Sequence, residues 1–175
     1  RKGLEEIRLE RDADALASLD RLIARGRKFE RLAEVLFWRA ALLQRKGDLA
    51  EAEKTLFQAL KENPSKDVER ETYYQLGLLQ QQAGRENEAA SMFLKLLDDP
   101  LRARFTPQQL AWLSEHQYGR KAYAAAEKAA RRLVEQAPDD GWRQAAWTLA
   151  GRAAQARGSA KDARAAYGSA ITVPG

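Results

Sequence analysis

Few residues in this chain are suited to chemistry. His116 is the single histidine, and a lone imidazole could serve as a base or a metal ligand. No Asp-His-nucleophile arrangement is readable around it, so it reads as an ordinary surface or groove histidine. The sequence has no cysteine, which excludes a thiol nucleophile, Cys-ligated zinc and a disulfide scaffold. It also lacks a Walker loop, a Gly-rich dinucleotide turn, Gly-x-Ser-x-Gly, His-Glu-x-x-His and a calcium loop. Carboxylates are plentiful but form none of these patterns. The reading is a non-enzyme with no catalytic residue, no metal site and no cofactor.

Two further groups could bind a partner. The basic run RGRKFER, Arg25 to Arg31, could meet phosphates or anionic lipid, and a solvated turn is the plainer reading. Trp38, Trp112, Trp142 and Trp147 read mainly as packing residues, with a binding role open for Trp112 or Trp38.

The elements that position these side chains follow from composition and period. Hydrophobic residues make up 45% of the 175 residues and charged ones 31%, which describes a folded chain and not a disordered one. Good helix formers dominate and β-branched residues are few. No uncharged apolar run approaches the roughly 20 residues that span a bilayer. The chain opens at Arg1 with no Met and no signal-like segment, which reads as a piece processed or excised from a longer chain. Cytoplasm and bacterial periplasm are both compatible with it. The net charge of +5 is unevenly spread. Residues 1–46 carry 12 Lys/Arg against 8 Asp/Glu, residues 47–118 carry 8 against 12, and residues 119–175 carry 10 against 5.

Small and apolar residues recur every 37 positions. Ala40 leads to Gly77, Ser114 and Gly151; Ala52 leads to Ala89, Ala126 and Ala163. Leu56, Phe93, Ala130 and Tyr167 form another series, as do Leu36, Tyr73, Leu110 and Trp147. The turn glycines Gly47, Gly84 and Gly158 follow the same step, with Lys121 in the remaining slot. Stepping backwards reaches Gly3, Ala15, Leu19 and Leu22. In each unit a small residue of a first helix faces a small residue of a second, letting two antiparallel backbones approach closely. One hairpin cannot bury its apolar stripe alone, so neighbours must stack on it. The fold class expected is all-α, a solenoid of antiparallel helix hairpins forming one segment over residues 1–175. Its units are 1–28 (partial), 29–65, 66–102, 103–139 and 140–175.

Local signals set the helix limits. Asp48 caps the helix after Gly47, and Thr106-Pro107-Gln108-Gln109 is a capping-box start. Pro64, Pro100 and Pro138 close second helices. First helices are expected near 30–46, 67–83, 107–118 and 141–157. Second helices are expected near 13–25, 49–62, 86–98, 121–136 and 160–172, with a separate helical remnant near 3–10.

These units resemble the tetratricopeptide repeat. Tyr73, Leu76-Gly77, Gly84, Ala89 and Phe93 match its pattern best, and Trp147, Gly151, Gly158, Ala163, Tyr167, Ala170 and Pro174 match it again. The unit with Ala40, Gly47, Ala52, Ala59 and Pro64 also follows it. The step of 37 departs from the family's usual value of about 34, most simply through longer turns. Lys121, with Gly119 two residues earlier, leaves room for a reshaped third turn. The resemblance implies a right-handed superhelix and a protein–protein interaction module whose first helices line a concave groove.

Carried over by helical geometry, the groove face lies about 120° from the core side at about 100° per residue. It holds Glu34, Phe37, Ala41 and Gln44; Glu71, Tyr74, Leu78 and Gln81; Gln108, Ala111, Glu115 and Tyr118; then Ala145, Thr148, Arg152 and Gln155. Phe37, Tyr74 and Tyr118 are its aromatic anchors, with Tyr74 and Gln81 near its centre. The partner implied is a protein, met as a peptide or helix. The Lys, Asn and Arg set with which one subclass grips C-terminal carboxylates is not assembled, which disfavours a chaperone-tail adaptor. Similar bacterial arrays scaffold envelope assembly and polysaccharide secretion, and the resemblance implies that setting. Nucleic acid is disfavoured because Glu34, Glu71 and Glu115 would repel phosphate. The alternatives are a structural spacer or self-association segment of a larger repeat protein, with homo-association through uncapped solenoid ends, and, less favoured, a helical-repeat RNA binder.

Overall fold

Four turns carry the period into three dimensions. Gly47, Gly84 and Gly158 have φ of 88°, 71° and 89°, and Lys121 has φ of 62°. At each, the turn residue donates its N–H three residues back: Gly47 to Gln44, Gly84 to Gln81, Lys121 to Tyr118 and Gly158 to Gln155. The following N–H reaches five residues back: Asp48 to Leu43, Arg85 to Gln80, Ala122 to Gln117 and Ser159 to Ala154. This left-handed closure satisfies the last carbonyls of the first helix and reverses the chain. The third turn is therefore not reshaped. Lys121 adopts the left-handed conformation that the glycines adopt elsewhere.

The structure is a computed structural model that describes residues 2–24, 31–98 and 105–173, with side chains described from Glu10 onward. Among the described residues there are nine helices and no strand: α1 (Lys2–Ile23), α2 (Leu32–Lys46), α3 (Leu49–Lys61), α4 (Lys66–Gln82), α5 (Glu86–Leu94), α6 (Pro107–Gly119), α7 (Tyr123–Gln136), α8 (Asp140–Ala156) and α9 (Ala160–Thr172). The all-α architecture of helix hairpins is as the periodicity requires. Arg25–Glu30 of the basic run, Pro100 and Pro174 lie outside the described residues.

Caps fall where side-chain chemistry places them. The Glu51 N–H donates to Asp48, and the Thr106/Gln109 capping box is complete with Pro107 at the first helical position. Ser65 and Asp139 accept from the N–H groups of Val68 and Trp142 at the starts of α4 and α8.

Two expectations are corrected. α1 is one helix of 22 residues, not a remnant near 3–10 followed by a helix near 13–25. The turn slot of that register holds Glu10 among helix formers, so the backbone ladder runs through it. α5 ends at Leu94, short of the expected 98. Beyond it the N–H groups of Leu96 and Leu97 bond to Phe93 and Leu94, only three residues back, which tightens the chain into turns.

The chain divides into two compact units, Arg1–Met92 and Phe93–Gly175. In the first, Ala40, Leu43, Ala52, Leu56, Leu76 and Leu79 form the core, joined by Leu16, Phe37, Leu60 and Met92. Arg39 of α2 ties this unit laterally, donating at 2.8 Å to both Asp20 of α1 and Thr55 of α3. In the second unit the Phe93 ring stands edge-on to Phe105 and Trp112 at 5.7 and 6.0 Å. Ala130, Ala150 and Ala166 form a further cluster with Trp147 and Leu149.

The small-residue crossings are buried in both units. Ala40 and Ala52 are fully enclosed, as are Ala89 and Ala126. The Ser114 hydroxyl donates to the Ala126 carbonyl at 3.0 Å inside its crossing, so the small side chain both admits and fastens the second helix. At Gly151 the close neighbour is the Tyr167 ring, 2.7 Å from where a Cβ would stand.

Candidate functional site

In the first unit α2 and α4, first helices of successive hairpins, lie side by side with a groove of about 730 Å³ between them. On α2, burial of Leu36, Ala40 and Leu43 against the core turns Phe37, Ala41 and Gln44 toward α4. Phe37, Trp38 and Ala41 from α2 and Val68 from α4 supply an apolar floor. Glu34, Gln44 and Arg45 rim it on one side; Asp67, Glu71 and Gln75 rim it on the other. The Phe37 and Trp38 rings meet edge-on at 5.5 Å. Trp38 is 56% exposed, and an open tryptophan in an apolar groove is the kind of surface that partners cover.

The rim charges are arranged unequally. Arg31 grips Glu34 through two hydrogen bonds of 2.7 and 2.5 Å, and Asp67 receives the Arg70 guanidinium. The Arg45 guanidinium is held by Asp12 of α1 at 2.6 Å. Glu71 has no ionic partner among the described residues. Tyr74 and Gln81, half-buried further along the same face of α4, are not among the residues that line this groove.

In the second unit the corresponding first helices, α6 and α8, are bridged. Arg152 of α8 donates to Glu115 of α6 at 2.7 Å, and its guanidinium carbon stands 4.8 Å from the centroid of the Tyr118 ring. Three of the groove residues read from sequence thus meet at one point. Gln108 is exposed at the start of α6. His116 stacks on Trp112 with centroids 5.2 Å apart, and no group of three or more potential metal ligands occurs among the described residues.

A family model for the tetratricopeptide repeat matches residues 33–66 and 71–98. Residues 33–66 and 71–98 are tetratricopeptide repeats. These repeats generally mediate protein–protein contacts and are generally non-catalytic scaffolds. The matched segments cover most of α2 to α5, with the groove residues Asp67 and Val68 lying between them. Among solved structures, the crystal structure of BtubC (BKLC) from P. vanneervenii is similar at a TM-score of 0.47 and 16% identity, over 96% of this chain and 90% of that chain. No curated protein matches the sequence. Among the described residues, no helix is long and apolar enough to cross a membrane.

Of the face expected from sequence, Glu34, Phe37, Ala41, Gln44 and Glu71 line the space between α2 and α4, as does Trp38, for which the sequence leaves a binding role open. Sequence reasoning missed Arg45, Asp67, Val68 and Gln75. Val68 and Gln75 carried a usable signal, since they flank Glu71 at −3 and +4 and so share its helix face.

Proposed function

We propose that this chain is a non-catalytic scaffold that holds a partner protein's peptide or helix in the α2–α4 groove. The observation that carries this reading is the open Trp38 ring on the groove floor, edge-on to the half-buried Phe37. Aromatic anchors in a partly enclosed groove are the features that dominate binding energy at interfaces. The charged rim sets orientation and register more than affinity. The carboxylates at Glu34, Asp67 and Glu71 favour a protein over a phosphate backbone.

The test is capture of partners from nuclease-treated lysate on immobilised protein. Wild type is compared with Phe37→Ala/Trp38→Ala and with Tyr74→Ala/Gln81→Ala. A protein retained by wild type and by the Tyr74/Gln81 variant, but lost by the Phe37/Trp38 variant, supports the α2–α4 groove. Loss only with Tyr74→Ala/Gln81→Ala would move the binding surface along α4. Equal retention by all three proteins would remove the groove from the interaction.

A further inference from the structure

The second unit shows how a guanidinium fills the space between two first helices of this protein. Arg152 lies over the Tyr118 ring and bonds to Glu115, so aromatic face and carboxylate together hold the cation. The α2–α4 groove contains the same two ingredients one to two turns earlier, with Trp38 and Phe37 as rings and Glu34 and Glu71 as carboxylates. Among the described residues the one basic side chain that lines it, Arg45, is engaged by Asp12. Arg31 sits beside Glu34, but its side chain is largely exposed, where an ion pair is weak and can be exchanged. Glu71 faces the groove with no ionic partner among the described residues.

We infer that the groove accepts a basic amphipathic segment of a partner protein. An arginine or lysine of that segment lies against Trp38 with its charge on Glu71 and Glu34, and neighbouring apolar side chains cover Ala41 and Val68. This rests on the groove reading proposed above and adds the chemical class of the occupant. The whole chain carries a net charge of +5, so a cationic ligand is drawn by the local carboxylates and not by overall charge.

The probes are two amphipathic peptides of about 14 residues, or about four helical turns, one built of Leu and Arg and the other of Leu and Glu. Binding is read by fluorescence anisotropy against wild type, Trp38→Ala and Glu34→Gln/Glu71→Gln. Trp38 and Glu71 are exposed, so these variants keep the fold, which circular dichroism checks. The expected result is binding of the Leu/Arg peptide at least about tenfold tighter than the Leu/Glu peptide. It should weaken by about tenfold in each variant and fall with added salt. Equal or tighter binding of the Leu/Glu peptide overturns the cationic occupant. So does an unchanged affinity in Glu34→Gln/Glu71→Gln, or no binding of the Leu/Arg peptide to wild type. If a Trp38-sensitive partner is still captured from lysate in those cases, the groove reading stands and only the occupant class fails. Dimerisation of wild type that Trp38→Ala abolishes would assign the groove to a second copy and also overturn the proposal.

Discussion

Arg152 and Glu115 stand 37 residues apart and meet at 2.7 Å, so one repeat length in sequence becomes one hydrogen bond in space. Both side chains are about half exposed, at 42% and 48%, which limits the pair through solvent screening. The Tyr118 face under the guanidinium adds to it. A double-mutant cycle with Arg152→Ala and Glu115→Ala should give a coupling of about 0.5–1 kcal/mol that shrinks in high salt. Additive effects of the two substitutions would mean the bridge contributes nothing to stability.

Gly151 and Gly168 should respond to alanine with opposite sign. Exposed helical Gly168 has open space around it, so Gly168→Ala should gain up to about 1 kcal/mol from helix propensity. At Gly151 the same gain meets the Tyr167 ring 2.7 Å from the new Cβ. Moving that ring also strains the hydrogen bond from the Tyr167 hydroxyl to Gln155. Overpacking costs about 1–3 kcal/mol, so Gly151→Ala should be destabilised by up to about 2 kcal/mol net. Urea unfolding of both variants reads the difference, and equal shifts would show that Tyr167 yields freely.

Lys121 holds a left-handed turn that Gly47, Gly84 and Gly158 hold in the other repeats. A side chain there costs about 1 kcal/mol or more, partly offset because glycine loses more entropy on folding. Lys121→Gly should therefore stabilise by about 0.5–1 kcal/mol, and Gly84→Ala should destabilise by a similar amount. Thermal melts decide it. A destabilised Lys121→Gly would mean that the lysine side chain makes a compensating interaction.

Most of the fold was legible because its signals are local and repeated. Asp48, Thr106-Pro107 and the turn glycines act through neighbouring backbone groups, so their positions alone fix helix limits. The turn slot at Glu10 shows where that logic fails, since register placed a break there. Register says where a turn fits a stacked hairpin, but continuous helix needs no left-handed residue, and among helix formers it wins. Lys121 shows the converse: a residue ill-suited to the turn adopts it where α6 and α7 bury faces on each other.

The groove was legible as a face and not as a set of contacts. Periodicity placed Glu34, Glu71 and Glu115 on matching surfaces, yet each meets a different neighbour. Arg31 lies one turn before Glu34 and grips it, Arg152 reaches Glu115 from the next first helix, and Glu71 lines the groove with no ionic partner among the described residues. These differences depend on side-chain reach between helices, which spacing does not encode. Trp38 was ambiguous for a similar reason. Its equivalent one double period later, Trp112, is covered by Phe93 and His116, whereas Trp38 stays open.

Glu53 is a carboxylate through which the stability of the first unit depends on pH. Arg85 donates to it at 2.6 Å and the Gln80 amide at 3.1 Å. The Arg85 hydrogen bond, foremost, holds the Glu53 carboxyl below its ordinary value of 4.5; the Gln80 bond and the Arg85 charge add to this, and burial opposes it. Because the folded value is depressed, the stabilisation is fully present above pH 4.5 and is lost as pH falls through the folded value. Glu53→Gln removes the titration, so the variant should be less stable than wild type at neutral pH, by about 1–3 kcal/mol, and nearly equal to it at strongly acidic pH. Asp162, lowered chiefly by the Ser159 hydroxyl, has an ordinary value of 3.8, so Asp162→Asn should flatten the acid limb only below that. Melting temperatures measured from neutral to strongly acidic pH compare the variants. A Glu53→Gln curve running parallel to wild type through the acid range would remove Glu53 as the group responsible.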